Sequence, residues 1–321
     1  MAKTKLAIIG ATGMVGQAFI HILSEKNDDA FEIKLFASKS SKNKRIKCLN
    51  KYYVVHELNN HSFDDVEYAC FFTTSEISKI FIPIALSKNV KVIDNSSSYR
   101  YEKQIPLVVF GVNEKTISNS QLVANPNCCV IQSIIALNAL KEFGIEKIIY
   151  NTYQSVSGSG KQGIDDLLRC RKGMIPLLYE TDISFTCIPK IGNINSDGFS
   201  EEENKMILET KKILSKDVEV LATCVRVPVM FSHGVSIQAK LKKDFTLEQI
   251  KEKIKQKENI VLCEKIVPSS VLSCKNDKVY VGRIRKHKNE VLLYCVADNI
   301  RVGAATNAYL ILKYMIGENK H

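Results

Sequence analysis

The stretch "KLAIIGATGMVGQAFIHILSEK" (Lys5–Lys26) decides the fold. Lys5 to Gly10 form a short apolar run that reads as a buried strand. After it, Val15, Phe19, Ile20 and Leu23 recur at helical spacing. Between the two lies "GATGMVG" (Gly10–Gly16). A tight strand-to-helix turn needs residues without a Cβ, so that backbone N–H groups at the helix N-terminus can approach a pyrophosphate. The spacing is G-x-x-G-x-x-G, not the commoner G-x-G-x-x-G, so the strand–turn–helix context carries the reading together with the glycines.

Outward from this unit the pattern repeats. "EIKLFAS" (32–38), "EYACFFT" (67–73), "VKVIDNS" (90–96) and "QLVAN" (121–125) read as strands. "SEISKIFIPIALSKN" reads as a helix despite Pro83, and "VIQSIIALNALKEFG" as one closed by Gly144. Such alternation predicts a mainly parallel sheet covered by helices, the Rossmann-type α/β arrangement. After about residue 145 longer strand-like runs dominate, which predicts a second, α+β domain on a mixed sheet. The apolar terminal helix "GAATNAYLILKYMIG" could cap either domain on periodicity alone.

A length of 321 residues suits two domains, and 45% hydrophobic with 25% charged residues is ordinary for a globular chain. The N-terminal apolar patch is only "LAII", too short for an export signal, and no long apolar run suggests a membrane span, so a cytoplasmic protein is expected. Ten cysteines in such a chain are expected as free thiols. There is no C-x-x-C pair, and His21, His56, His61, His233, His287 and His321 are scattered, so no metal site is expected. The net charge of +11 is spread through mixed-sign segments, which argues for solvated faces and a field attracting anionic small molecules, not for nucleic-acid binding.

In "VANPNCCVIQ" (123–132), Cys128 stands at the first turn of a predicted helix, where N–H groups and the helix dipole favour a thiolate and can cradle an oxyanion. Cys129 begins the apolar stripe and is expected to pack. A cysteine nucleophile needs a proton-transfer partner. His233, placed on a loop after a strand and beside Gly234, is the candidate; the other five histidines read as structural or solvated. About twenty residues beyond the glycine turn, where an NAD site places an acid, stand Ser38, Lys39, Ser41 and Lys44. Hydroxyls and ammonium groups suit a 2′-phosphate, so NADP is expected over NAD.

Together, "GATGMVG", "NPNCC", "TYQSVSGSGKQG", "DGFSEEENKMILETKKIL", "CVRVPV…SHG", "VGRIR" and "ADNIRVGAATNA" resemble, in order and almost end to end, the aspartate-β-semialdehyde dehydrogenase family. The resemblance implies an NADP-binding domain at residues 1–127, completed by a C-terminal helix at 300–321, and a catalytic and dimerisation domain at 128–299. It implies NADPH-dependent reductive dephosphorylation of L-aspartyl-4-phosphate to L-aspartate 4-semialdehyde and phosphate, on the route to lysine, threonine and methionine. Thiolate attack on an acyl phosphate gives a thioester, and hydride transfer to the thioester releases the aldehyde.

By the same resemblance Cys128 is the nucleophile, His233 the general acid/base, and Gln154 the residue orienting the intermediate. Arg226 would pair with the substrate α-carboxylate, Glu202 with its ammonium, and Lys205, Arg100 and Asn127 with the phosphate. The residues Glu202 and Lys205 also read simply as an i,i+3 helix pair. Gly10, Thr12, Gly13, Met14, Val15, Ser38, Gly158 and Asn307 match cofactor positions, to which Lys39 and Ser41 add the 2′-phosphate contacts read above. A homodimer or homotetramer is implied. Three departures stand out: Cys129 for Ser or Thr, a glycine-poor "FFTTSEIS" around Thr73 and Thr74, and Lys190 where histidine is frequent.

Two alternatives share parts of this pattern. An N-acetylglutamyl-phosphate reductase has the nucleotide domain and the cysteine, but an ammonium-binding carboxylate such as Glu202 is useless to an acetylated amine. A non-catalytic NADPH-binding sensor would keep the glycine turn and lose the chemistry, against which stand Cys128, Gln154, Arg226 and His233.

Overall fold

The computed structural model describes residues 3–317; His321 and the outermost ends of the expected first domain lie outside them. The chain divides into two compact units, one formed by the residues up to Pro126 together with those from Ala304, the other by Asn127–Gly303.

The first unit is built on β1 (Thr4–Ile9), β2 (Phe31–Ala37), β3 (Arg45–Cys48), β4 (Lys51–Glu57), β5 (Tyr68–Phe71), β6 (Lys91–Asp94) and β7 (Leu122–Ala124), in the order β3-β4-β2-β1-β5-β6-β7. All pairings are parallel except β3 with β4. The two-residue period of β1 splits its side chains between two cores. Leu6 and Ile8 pack with Phe19, Ile20 and Leu23 of α1 (Met14–Glu25) and with Ala308, Ile311 and Leu312 of the terminal helix (Asn307–Met315). Ala7 and Ile9 face Ile82 and Ala85 of α2 (Ser75–Ser87), a helix that accommodates Pro83. The β3–β4 hairpin was not predicted: its strands are short, with Cys48 and Val55 buried but the apolar Tyr52 and Val54 exposed, and His56 lies exposed on β4.

The second unit opens with α3 (Cys128–Asn138) and carries a six-stranded mixed sheet. Its strands are β8 (Ile145–Gln154), β9 (Glu219–Arg226), β10 (His233–Leu241), β11 (Ile260–Cys263), β12 (Val279–His287) and β13 (Glu290–Ala297), ordered β11-β12-β13-β10-β8-β9. Helices α4 (Gly160–Cys170), α5 (Glu201–Ile213), α6 (Leu247–Lys255) and α7 (Ser270–Ser273) are more numerous than the strand-rich texture suggested. On β8 and β9, Tyr150, Thr152, Gln154, Ala222, Cys224 and Arg226 are buried, while Tyr153 and Leu221 on the opposite face are exposed.

Two placements correct the sequence reading. His233 is the first residue of β10, not a loop residue, and His287 ends β12 instead of lying in a turn. The second compact unit runs from Asn127 to Gly303, close to the expected 128–299, and local bonds tie down both of its ends. Asn127 caps α3, and Arg301 is held by Asp277 at 2.8 Å while the Gly303 N–H donates to the Asp298 carbonyl at 3.1 Å. No helix among the described residues is long and apolar enough to cross a membrane.

Candidate active site

Asn127 starts α3 by accepting, through Oδ1, the N–H of Cys129 at 2.9 Å and that of Val130 at 3.4 Å. That cap places Cys128 at the first helical position, half-buried, and Cys129 wholly in the core. The sulfurs of Cys128 and Cys129 and a ring nitrogen of His233 lie within 4.8 Å of one another. Gly303 makes room: a Cβ there would come within 2.7 Å of Cys128 Cβ. A hydrogen bond from the Cys129 thiol and the nearby His233 hold the Cys128 thiol well below its ordinary value, against burial and the Glu202 charge. Burial, then the Cys128 sulfur, push Cys129 well above it. The adjacent cysteines are thus chemically distinct, one thiol drawn down and the other pushed up.

His233 is fully buried, and its backbone carbonyl accepts from Gln132 Nε2 of α3 at 2.9 Å. Its Nδ1 accepts the Ser155 N–H at 3.0 Å, which leaves Nε2 for the cysteines. Ser155 follows β8, and its carbonyl accepts from Arg226 Nη1 at 2.7 Å. Gly158 allows this crowding, because a Cβ there would reach 2.6 Å from Arg226 Nη1 and 3.2 Å from His233 Nε2. The predicted Gly158 therefore sits against the reactive side chains of this unit.

A buried carboxylate ties the remaining predicted residues together. The N-cap Ser200 and Glu203 form a reciprocal capping box that starts α5 and aims Glu202 inward. Glu202 Oε1 accepts from Asn127 Nδ2 at 2.8 Å and Gln154 Nε2 at 3.1 Å, and Oε2 pairs with Lys205 at 3.1 Å. Burial alone would raise its pKa. The Lys205 charge and these hydrogen bonds overcome burial and hold it down at about 2. Glu202 is a permanent buried anion whose partners are a helix cap, a strand end and a cation one turn away.

In the first unit, Gly10 has φ +79°, and a Cβ on it would lie 2.1 Å from the Phe72 carbonyl oxygen. A Cβ on Gly16 would lie 2.3 Å from the Gly10 oxygen. Gly13 caps α1 with no side-chain partner and no acid follows in the first turn, so Met14 and Val15 begin a helix whose N–H groups suit phosphate oxygens. Thr12 Oγ1 and Lys44 Nζ each lie 3.3 Å from Ser41 Oγ, beside exposed Ser38 and Lys39, which fits a 2′-phosphate. Asn307 is buried, its Oδ1 accepting from Phe110 N–H at 2.9 Å and its Nδ2 donating to Val108 and Asn125 at 2.8 and 2.6 Å. Arg100 is also buried, donating from Nη2 to the Asn95 carbonyl at 2.8 Å.

Several contributors escaped the sequence reading. Glu209, wholly buried, accepts the Asn127 N–H at 2.6 Å; its signal was an acid two turns after Glu202 on the face that Met206 buries. Gln132, Ser155 and Asn299 meet the site only through tertiary contacts and carry no local signal.

The chain matches two family models, "Semialdehyde dehydrogenase, NAD binding domain" over residues 5–120 and "Semialdehyde dehydrogenase, dimerisation domain" over 137–302. It is 36% identical to the aspartate-semialdehyde dehydrogenase of Aquifex aeolicus, over 98% of either chain. It is 37% identical to aspartate-semialdehyde dehydrogenase 2 of Vibrio cholerae, over 97% of either chain. The crystal structure of aspartate semialdehyde dehydrogenase II from Vibrio cholerae, complexed with ASA, superimposes with a TM-score of 0.95 at 35% identity over the full length of both chains. Sequence, fold and the setting of Cys128 converge: this chain belongs to the aspartate-semialdehyde dehydrogenase family.

Proposed function

We propose that the protein catalyses the NADPH-dependent reductive dephosphorylation of L-aspartyl-4-phosphate to L-aspartate 4-semialdehyde and phosphate. The observation that carries this reading is Cys128 at the start of α3, its thiol drawn down beside Cys129 and His233. The thiolate attacks the acyl carbonyl, phosphate leaves, and a thioester remains on Cys128. The N-terminus of α3, whose Cys129 and Val130 N–H groups are taken by the Asn127 cap, favours the developing oxyanion through its dipole, and His233 moves the proton. NADPH, when bound, supplies the hydride that reduces the acyl group to the aldehyde. Gly10, Thr12, Gly13, Met14 and Val15 would hold its phosphates, Ser38, Lys39 and Ser41 its 2′-phosphate, with Gly158 and Asn307 completing the site.

Arg226 is assigned to the substrate carboxylate through its guanidinium fork, and Glu202 to the ammonium. Phosphate falls to Arg100 and Lys205, with Asn127 offering the amide hydrogen that Glu202 does not take. Gln154 orients the bound acyl group from the end of β8. The residues 1–127 with 300–321 act as the nucleotide domain and 128–299 as the catalytic and dimerisation domain. Exposed Ile175, Leu177 and Phe185 in the second unit support a homodimer, or a tetramer made of two. The enzyme works in the cytoplasm, without nucleic acid or membrane partners.

The test is phosphate-dependent reduction of NADP by aspartate semialdehyde. Wild type should be active, and Cys128→Ala should lose activity by at least about a thousandfold with NADPH binding intact. Wild type that binds NADPH without turnover refutes the assignment.

A further inference from the structure

His233 is held from both sides by groups the proposed reaction leaves unassigned. Ser232, immediately before it, is a buried non-glycine residue with φ +70°, a strained backbone that its surroundings must enforce. The enforcing group is Asn299, whose Oδ1 accepts the Ser232 N–H at 2.9 Å. A backbone N–H can only donate, so this bond also fixes which end of the Asn299 amide faces inward. The same Oδ1 lies 3.1 Å from Ser157 Oγ and 3.3 Å from Ser155 Oγ. Ser155 in turn approaches the ring nitrogen Nδ1 with its N–H at 3.0 Å and its Oγ at 3.0 Å.

The proton inventory then follows. Because the Ser155 N–H can only donate, Nδ1 must accept, and a neutral imidazole accepting at Nδ1 carries its hydrogen on Nε2. A ring protonated on both nitrogens would set N–H against N–H at Nδ1. Asn299 has two oxygen lone pairs, which Ser232 N–H and the nearer Ser157 hydroxyl fill, so the Ser155 hydroxyl hydrogen is shared between Ser157 Oγ and Nδ1, each at 3.0 Å, and the Ser155 N–H remains the fixed donor at Nδ1. Nε2, fully buried and with no hydrogen-bond partner among the described groups, is the nitrogen left on the cysteine side.

We propose that Ser155 and Asn299 are positioning residues for His233, holding its ring with the hydrogen on Nε2, the nitrogen left on the cysteine side, so that the resting ring meets Cys128 as a hydrogen-bond donor. In the reductive direction the Nε2 hydrogen is already placed to be donated as a hydrogen bond to the tetrahedral oxyanion, which collapses to the aldehyde and the Cys128 thiolate with the ring unchanged. The inference rests on the reading of His233 as the proton-transfer partner of Cys128, but its test does not need turnover.

Full-length protein labelled with 15N-histidine reports both ring nitrogens directly, with the His233 signals assigned by their absence in His233→Gln. The expected spectrum shows an unprotonated Nδ1 and a protonated Nε2 near neutral pH; a protonated Nδ1, alone or with Nε2, overturns the proposal. Alkylation of Cys128 by iodoacetamide gives a second arm, because a glutamine amide supplies a donor near the position of Nε2 but cannot act as a base. The His233→Gln variant should react within about threefold of wild type, and His233→Ala about tenfold or more slowly. Equal slowing in both refutes the donor role.

For Asn299→Ala, release of Ser232 should split the ring signal between two tautomers and lower kcat about tenfold with KM within about twofold. A lowered kcat with an unchanged ring spectrum would reduce Asn299 to a merely structural part. If that variant does not fold, Ser155→Ala tests the same link: it keeps the N–H, so the tautomer should persist, and its reversal overturns the proposal.

Discussion

Replacing Glu202 by glutamine keeps shape and removes charge. The wild-type carboxylate accepts from Asn127, Gln154 and Lys205, and an amide can serve only one side, leaving its NH2 against a donor on the other. The fall of the carboxyl pKa from 4.5 to about 2, at about 1.4 kcal/mol per pKa unit, makes the ionised form worth about 3 kcal/mol to the fold. Lys205 is 28% exposed, so part of its attraction is screened and this figure is an upper one. Because the folded pKa lies below the unfolded one, the contribution is complete above the unfolded value of 4.5 and disappears as pH falls through about 2. At about pH 3.5 roughly 2 kcal/mol should remain. Urea unfolding of wild type and Glu202→Gln at these two acidities measures the gap. A variant within about 0.5 kcal/mol of wild type at about pH 7, or a gap that does not narrow on acidification, would refute the reasoning.

Cys129→Ser should retain activity within about tenfold, since a hydroxyl replaces the neighbouring thiol donor, whereas Cys128→Ala should be inactive; steady-state assays separate the two sulfurs. Gly10→Ala should cost about 3–5 kcal/mol and abolish NADPH binding, because the new methyl meets the Phe72 carbonyl; fluorescence titration and thermal melts read both effects. Combined Lys39→Ala and Ser41→Ala should raise KM for NADPH by about tenfold or more while leaving that for NADH within about twofold; equal loss for both cofactors would remove the 2′-phosphate assignment.

Much of the first unit was legible because its strands are buried on both faces and its helices carry one apolar stripe, so local pattern and tertiary burial agree. The β3–β4 hairpin was not, since its inward residues Ile46, Cys48, Tyr53 and Val55 are spread over two short strands and stand beside the equally apolar but exposed Tyr52 and Val54, so no period stands out. Cys128 was readable for a similar reason: a helix N-terminus is a local feature, and the Asn-Pro-Asn turn announces it. The partnership of Glu202 with Asn127 was hidden, because 75 residues separate the two and only the packed fold makes them neighbours.

The amino-acid sequence by itself determined the dinucleotide-type unit, the placing of Cys128 at a helix start and the family, through glycines, caps and spacing that act over one or two turns of chain. Tertiary structure alone decided that Cys129 and His233 lower the Cys128 thiol, that Glu202 is a saturated buried anion, and that His233 begins a strand with Nδ1 committed to Ser155. The physical reason is range. Propensity and capping are settled by neighbours in sequence, whereas desolvation, charge and hydrogen-bond direction depend on groups that only folding brings within a few ångströms.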